Sequence, residues 1–157
     1  MSTIFIKSRI TYIDGDINPA LARNVVDITQ IQYPNDYFDF IICSHVLGHI
    51  PDEKKAIQEL YRVLKTDGIA LIMTLLDTNR AQTFEDSSVT TSQEKLLHYG
   101  ESDLCRLHGL DFLKRIEREG FSVAKIDYRM LLGAENSNKF SLGDGQREII
   151  YRCTKGK

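Results

Sequence analysis

What this chain lacks narrows it first. Its three cysteines, Cys43, Cys105 and Cys153, are odd in number, widely spaced and without a CxxC pair. That excludes a disulfide framework or zinc knuckle and reads as reduced thiols in a cytoplasmic protein. No apolar run is long enough to span a bilayer, and the opening MSTIFIKSRI has too short an apolar stretch, and a charge too early, for a signal peptide, so no membrane association is expected. Charge of one sign is missing as well: 20 Lys and Arg stand against 22 Asp and Glu, for a net charge of −2 with no block of like charge, so no nucleic-acid partner is expected. There is no internal repeat and no GxSxG turn, which leaves Ser44 without a hydrolase elbow. Before Gly15 there is no glycine at all.

What remains is a chain of 157 residues, 42% hydrophobic, enough to bury the core of a single domain spanning 1–157. RITYIDGDI (9–17) reads as a strand running into an acidic loop, and Asn18-Pro19 supply the cap and first position of a helical turn, PALARN. VVDI (25–28) is a second short strand. FDFIICS (38–44) and IALIMTLL (69–76) are near-continuous apolar runs, as in strands covered on both faces. Between them Pro51, Asp52 and Glu53 open a helix whose apolar face is Ala56, Ile57, Leu60, Val63 and Leu64. KTDG closes it, with a positive φ expected at Gly68. Residues 77–100 are polar and aperiodic, a loop or lid. LDFLKRIEREGF (110–121) is a second amphipathic helix, SVAKIDYRML (122–131) and QREIIYRC (146–153) read as the last strands, and GAENSNKFSLGDG between them reads as exposed loop. Strand alternating with helix implies an α/β fold, an open, mostly parallel sheet with helices on both faces. Ligands in such sheets bind at the carboxyl ends of strands, where Asp14, Asp16, Asp27, Ser44 and His45 fall.

The stretch around Cys43, Ser44, His45 and His49 invites three readings. A zinc site needs a general-base Glu beside the first His and a third ligand, and Val46 stands where that Glu belongs; no metal is expected. Cys43 sits inside the apolar run, as an inert core thiol does. His49 fits a residue capping the entry to the helix. Asp16 and Asp27 are either caps or solvated loop carboxylates, or, following successive strands at one sheet edge, acceptors for the hydroxyls of a ribose.

In order and spacing, YIDGDINPALA followed by VVDITQIQYPNDYFDFIICSHVLGHIPDEKKAIQELYRVLKTDGIALIM resembles the middle of a class I S-adenosylmethionine-dependent methyltransferase of the small-molecule, Rossmann-like type. HYGESDLCRLHGLDFLKRIEREGF is similar to the segment before the late helix and sixth strand in some bacterial members. The resemblance implies S-adenosylmethionine as cofactor and a small-molecule acceptor as substrate. By it, Asp16 would hold the ribose hydroxyls, with Ile17 in the same cofactor-binding set, Asp27 and Ile28 would border the adenine, and Ser44 and His45 would line the pocket, His45 being the residue to act as a base. His98, Tyr99, Arg106 and His108 are substrate-side candidates.

The departures are specific. The family has Glu where this chain has Gly48, and Pro-Gly or Gly-Gly at Thr66-Asp67-Gly68. It places a first strand, a glycine-rich loop and a helix before the second strand, where this chain has nine residues before ITYIDGD. The expectation is a truncated Rossmann-like fold whose sheet is completed by rearranged strands or by a homodimer through the unpaired strands. TIFIK (3–7) is a substitute strand in sequence, too close to the next for a parallel crossover. A catalytically inactive remnant serving as a binding or oligomerisation module is the alternative function.

Overall fold

The computed structural model describes residues 10–143 and 146–155; the TIFIK segment lies outside them. The helix expected after Pro51 is α1 (Glu53–Val63), capped by Asp52, whose side chain accepts from the Lys55 amide at 3.0 Å. Its apolar stripe goes fully inside: Ala56, Ile57, Leu60 and Val63 are each at most 3% exposed. The strands flanking it are β3 (Phe38–Ser44) and β4 (Leu64–Met73), which run parallel. The chain continues with α2 (Ser92–Tyr99), α3 (Phe112–Glu117), β5 (Phe121–Asp127), α4 (Tyr128–Lys139) and β6 (Ile149–Lys155). Upstream, β1 (Gly15–Asp16) and β2 (Asn24–Val25) form a two-stranded parallel pair.

The larger sheet has the order β3-β4-β6-β5, with β6 antiparallel to both neighbours. One face carries Cys43, Ala70, Ile72, Tyr151 and Cys153, all buried in a single core with α1 and with Phe112 and Ile116 of α3. The register places Ile42 beside Leu71 and Phe40 beside Ile69 on the other face, and there Phe40 is 50% and Ile42 62% exposed. The helices that bury apolar surface therefore lie on one side of this sheet. Among the described residues neither β1 nor β3 has a ladder partner on its outer side. The β1–β2 unit is tied to α1 instead. Arg62 donates to the carbonyls of Ile31 and Tyr33 at 2.7 and 2.8 Å, and Ile31, Val26 and Ile28 pack on the core. No described helix is long and apolar enough to cross a membrane.

Several local expectations change. Residues 10–14 carry no regular secondary structure, so among the described residues only Gly15–Asp16 of the first strand is paired. The expected turn survives at Asn18, whose side chain accepts from the Ala20 amide. KTDG does not end the helix: β4 begins at Leu64, and the register jumps from Phe38↔Leu64 to Phe40↔Ile69, so residues 65–68 bulge out of the strand. Gly68 has no positive φ. Its need is space, because a Cβ there would sit 2.7 Å from the Leu64 side chain. The polar 77–100 segment holds a helix, α2, closed by a reciprocal capping box between Thr91 and Glu94. YRML, expected as strand, opens α4 because the Asp127 side chain caps the Arg129 amide; α4 buries no residue.

The one-sided sheet makes a direct forecast. Ile72→Ala, at a site with no exposure, costs about 3 kcal/mol in urea unfolding. Ile42→Ala on the opposite face costs about 0.5 kcal/mol or less. Equal costs would mean that the second face is covered in solution.

Candidate functional site

The carboxyl ends of β3 and β4 meet a loop arriving from residues 101–108. A cavity of about 20 Å³ lies between them, bordered by His45, Gly48, His49, Thr74, Leu75, Glu101, Leu104, Arg106, His108 and Arg147. It has room for about one water molecule.

Its floor is a buried polar chain. The Thr74 hydroxyl lies 2.8 Å from His108 Nδ1, and His108 Nε2 lies 2.5 Å from Glu53 Oε1. Arg115 grips the other Glu53 oxygen through two nitrogens. Glu53, Thr74 and His108 are at most 4% exposed. Burial alone would raise the Glu53 pKa, but the hydrogen bond and charge of His108, together with Arg115, outweigh it and hold the carboxyl below its usual range. Glu53 is thus a carboxylate, and His108 Nε2 donates to it. At Nδ1 the ring shares the second hydrogen bond of this chain with the Thr74 hydroxyl.

A buried cation forms one wall. Arg106 spends four of its five N–H donors: two on the carbonyls of Leu47 and Ile50, one on that of Pro51, and one on Glu85 at 2.8 Å. This guanidinium holds the 3-10 turn Leu47–His49 and the entry to α1 in place. Gly48 lies inside that turn, and a Cβ there would meet Leu104 at 2.8 Å. The Glu that the resemblance expects at this position would require the Leu104 side chain to shift.

His45 completes the wall. Its amide donates to the Met73 carbonyl at 2.9 Å, which fixes the residue at φ 57, a left-handed conformation that a non-glycine residue adopts at a cost. Burial, then the charge of Arg147, lowers its pKa, so the imidazole is neutral and able to accept a proton at pH 7. Cys43, two residues before it, is buried, and burial pushes its thiol up to about 12, as an inert core cysteine requires. His49 sits between Glu101 and Asp103, 3.3 Å from the latter. Among the described residues these three offer donor atoms within 4.8 Å of one another, near enough to meet a cation, although Glu101 is also paired with Arg147 at 2.8 Å.

Of the residues singled out in the sequence, Asp16 ends β1 and Asp27 follows β2 by two residues, and the Val26 amide between the strands donates to the Asp16 carbonyl. Ile17 is exposed and Ile28 packs on the core. Neither carboxylate borders the cavity, and neither does Ser44, which is exposed; His45 does. Tyr99, Arg106 and His108 are buried, while His98 stays at the surface. Glu53 and Thr74 had no assigned role. Thr74 carries a signal in hindsight, as the lone hydroxyl in an apolar strand run. Glu53 carries none, since its partners lie 55 and 62 residues away.

Two titrations follow. Glu53 stabilises the fold above its ordinary value of 4.5, and the contribution is lost as pH falls through its lower folded value. Glu53→Gln therefore costs about 3 kcal/mol at neutral pH, with the gap to wild type narrowing in acid. For His45 the folded value lies below the ordinary 6.5, so the unfolded chain binds more protons between the two and stability rises with pH across that interval. His45→Asn removes that rise, and an unchanged slope in urea melts would contradict the assignment.

Comparison with known proteins supplies the context for this geometry. The family described as a methyltransferase domain matches residues 5–126. An uncharacterised methyltransferase of Bacillus subtilis, YcgJ, is 42% identical over 44 residues, covering 28% of this chain and 17% of the relative. The ubiquinone/menaquinone biosynthesis C-methyltransferase UbiE of Vibrio vulnificus is 39% identical over 44 residues, with the same coverage. Among solved structures, the [4+2]-cyclase SpnF aligns at a TM-score of 0.56 and 15% identity, over 84% of this chain and 56% of that one. An O-methyltransferase from a polyketide synthase of Brevibacillus brevis, in complex with S-adenosylhomocysteine, aligns at 0.54 and 16%, over 88% and 50%. The matched segment thus spans about a sixth of those curated relatives, and the chain about half of these solved proteins.

Proposed function

Because the chain belongs to the methyltransferase domain family, we propose that it transfers a methyl group from S-adenosylmethionine to a small-molecule acceptor. The observation that carries this reading is the placement of Asp16 and Ile17, Asp27 and Ile28, and Ser44 and His45 at the carboxyl ends of three successive parallel-paired strands, where such folds bind ligands. The fit to the cofactor can be tested atom by atom. Asp16 spends Oδ1 on the Asn18 amide, and Asp27 spends Oδ1 on the amide and hydroxyl of Thr29. In each carboxylate the second oxygen remains for a ribose hydroxyl, and Ile17 and Ile28 offer apolar surface beside it.

Bound there, the cofactor would supply an electrophilic sulfonium methyl for in-line displacement. The contribution of the protein is then chiefly to position the acceptor. His45, neutral and bordering the cavity, is suited to take a proton from it. A cavity of about 20 Å³ admits only the reacting end of an acceptor, whose body would lie outside. The solved neighbours include a cyclase, so the fold alone does not set the reaction.

A second reading, a binding or oligomerisation module without catalysis, is favoured by the outer edge of β3, unpaired among the described residues, and the exposed Phe40 and Ile42 beside it. Its partner would be a second copy of the chain. Light scattering would then find a dimer that Ile42→Lys dissolves, and a monomer at high concentration would count against it.

Isothermal titration with S-adenosylmethionine and S-adenosylhomocysteine tests the first reading. Binding in the micromolar range that Asp16→Ala weakens at least about tenfold is expected. A folded sample that gives no binding heat would overturn it.

A further inference from the structure

Three buried side-chain atoms among the described residues have no hydrogen-bond partner: His45 Nδ1, His49 Nδ1 and Arg106 Nε. All three residues border one cavity. The Arg106 side chain is 1% exposed, and a charged donor buried without an acceptor is costly. His49 is the most telling of them. Its ring lies between two carboxylates, with Nδ1 3.3 Å from Asp103 Oδ1 and Nε2 3.8 Å from Glu101 Oε2, yet Nδ1 is hydrogen-bonded to neither. Occupants of such a place sort by charge. An anion accepts from Arg106 but is repelled by Glu101 and Asp103. An organic ammonium is repelled by Arg106 and Arg147 and offers Nε no acceptor. A water alone answers the three nitrogens but leaves two carboxylates with oxygens within 4.8 Å of each other, which repel, Arg147 offsetting one of them.

A divalent cation carrying a water satisfies every one of these groups. We propose that His49, Glu101 and Asp103 bind a transition-metal ion of the Zn²⁺ class, with one coordination position open toward the cavity. One donor atom from each residue lies within 4.8 Å of the others. Closing them onto Zn²⁺, about 2.0–2.2 Å from each ligand, needs a modest swing of Asp103, whose side chain is 74% exposed. The backbone beneath is fixed. The Cys105 amide donates to the Gly48 carbonyl at 2.8 Å, which joins the segment of the two acids to the turn of His49 that Arg106 holds. Arg147 donates to Glu101 Oε1 at 2.8 Å and leaves Oε2 for the metal, as ligating carboxylates are commonly oriented by an outer hydrogen bond. The charge of Arg106 is met by Glu85. Three nitrogen and oxygen ligands with a fourth position for water form an open zinc site, and such donors favour Zn²⁺ over Mn²⁺. The water, in a space for about one oxygen atom, accepts from Arg106 Nε and reaches His45 Nδ1, so His45 keeps its place as a proton acceptor. The zinc motif set aside in the sequence needed a Glu beside His45, whereas the acids here come from a distant segment.

The untagged full chain is titrated with Zn²⁺ in a calorimeter and with Co²⁺ by visible absorption, Mg²⁺ serving as the control ion. One Zn²⁺ per chain in the micromolar range, a Co²⁺ d–d band of low-symmetry coordination, and His49 ring nitrogens that Zn²⁺ shifts in ¹⁵N-labelled protein are expected. Asp103→Asn, a surface change that leaves the core alone, should weaken Zn²⁺ at least about tenfold, and Glu101→Gln likewise. Asp67→Asn, an exposed carboxylate at the other end of β4, should leave the affinity unchanged. No heat with Zn²⁺ from a folded sample, a His49 ring that Zn²⁺ does not move, equal affinities in Asp103→Asn and wild type, or Mg²⁺ bound as tightly as Zn²⁺ would each overturn the metal site. Binding by these side chains needs no cofactor. Loss of S-adenosylmethionine binding alone would therefore fall on the methyl-transfer reading, and loss of Zn²⁺ binding alone on the metal site.

Discussion

A carboxylate withdrawn from water has to be held by cations and donors, and Glu53 is where that constraint organises this molecule. It stands in the first turn of α1, receives His108 on one oxygen and Arg115 on the other, and so joins three segments far apart in sequence. Through His108 the constraint reaches Thr74 at the end of β4. Arg106, two residues before His108, is drawn in the same direction and closes over the carbonyls of Leu47, Ile50 and Pro51. The wall of the cavity and the orientation of its buried imidazole both follow from one ionised side chain.

The surrounding fold shows a different economy. Cys43, Ile72 and Tyr151 bury one face of the sheet under α1 and α3, while Phe40 and Ile42 face outward and β3 has no neighbour on its outer side among the described residues. The paired strands β1 and β2 are attached through Arg62 and the packing of Val26, Ile28 and Ile31, not through the sheet. Asp16 and Asp27 on one side, and the cavity bordered by His45 on the other, thus stand on separately attached parts of the fold.

Much of this was legible in the sequence, for local reasons. The apolar spacing of Ala56, Ile57, Leu60 and Val63, the cap at Asp52 and the apolar runs of β3 and β4 are decided by neighbours within a few residues, and they form as expected. Gly120, with φ 102, closes the turn that follows α3, whose last helical residue is Glu117. Expectations failed where distant contacts decide. Gly68 answers to the Leu64 side chain in a bulge and not to a helix end, and YRML follows a cap from Asp127 into helix against its strand-like composition. The site divides in the same way. His45 is marked by its place after an apolar strand, and Asp16 and Asp27 by theirs, whereas the roles of Glu53, Thr74 and Arg106 arise from partners that no local pattern names.

The account stands or falls on the direction of the hydrogen bond between His108 and Glu53. Long-range ¹H–¹⁵N correlation on the His108 ring at about pH 8, where a free imidazole is neutral, reads that direction. The expected result is a proton on Nε2, donated to the ionised Glu53. A bare Nε2, with the ring proton on Nδ1 alone, would contradict it, because Glu53 would then have to carry the shared proton itself.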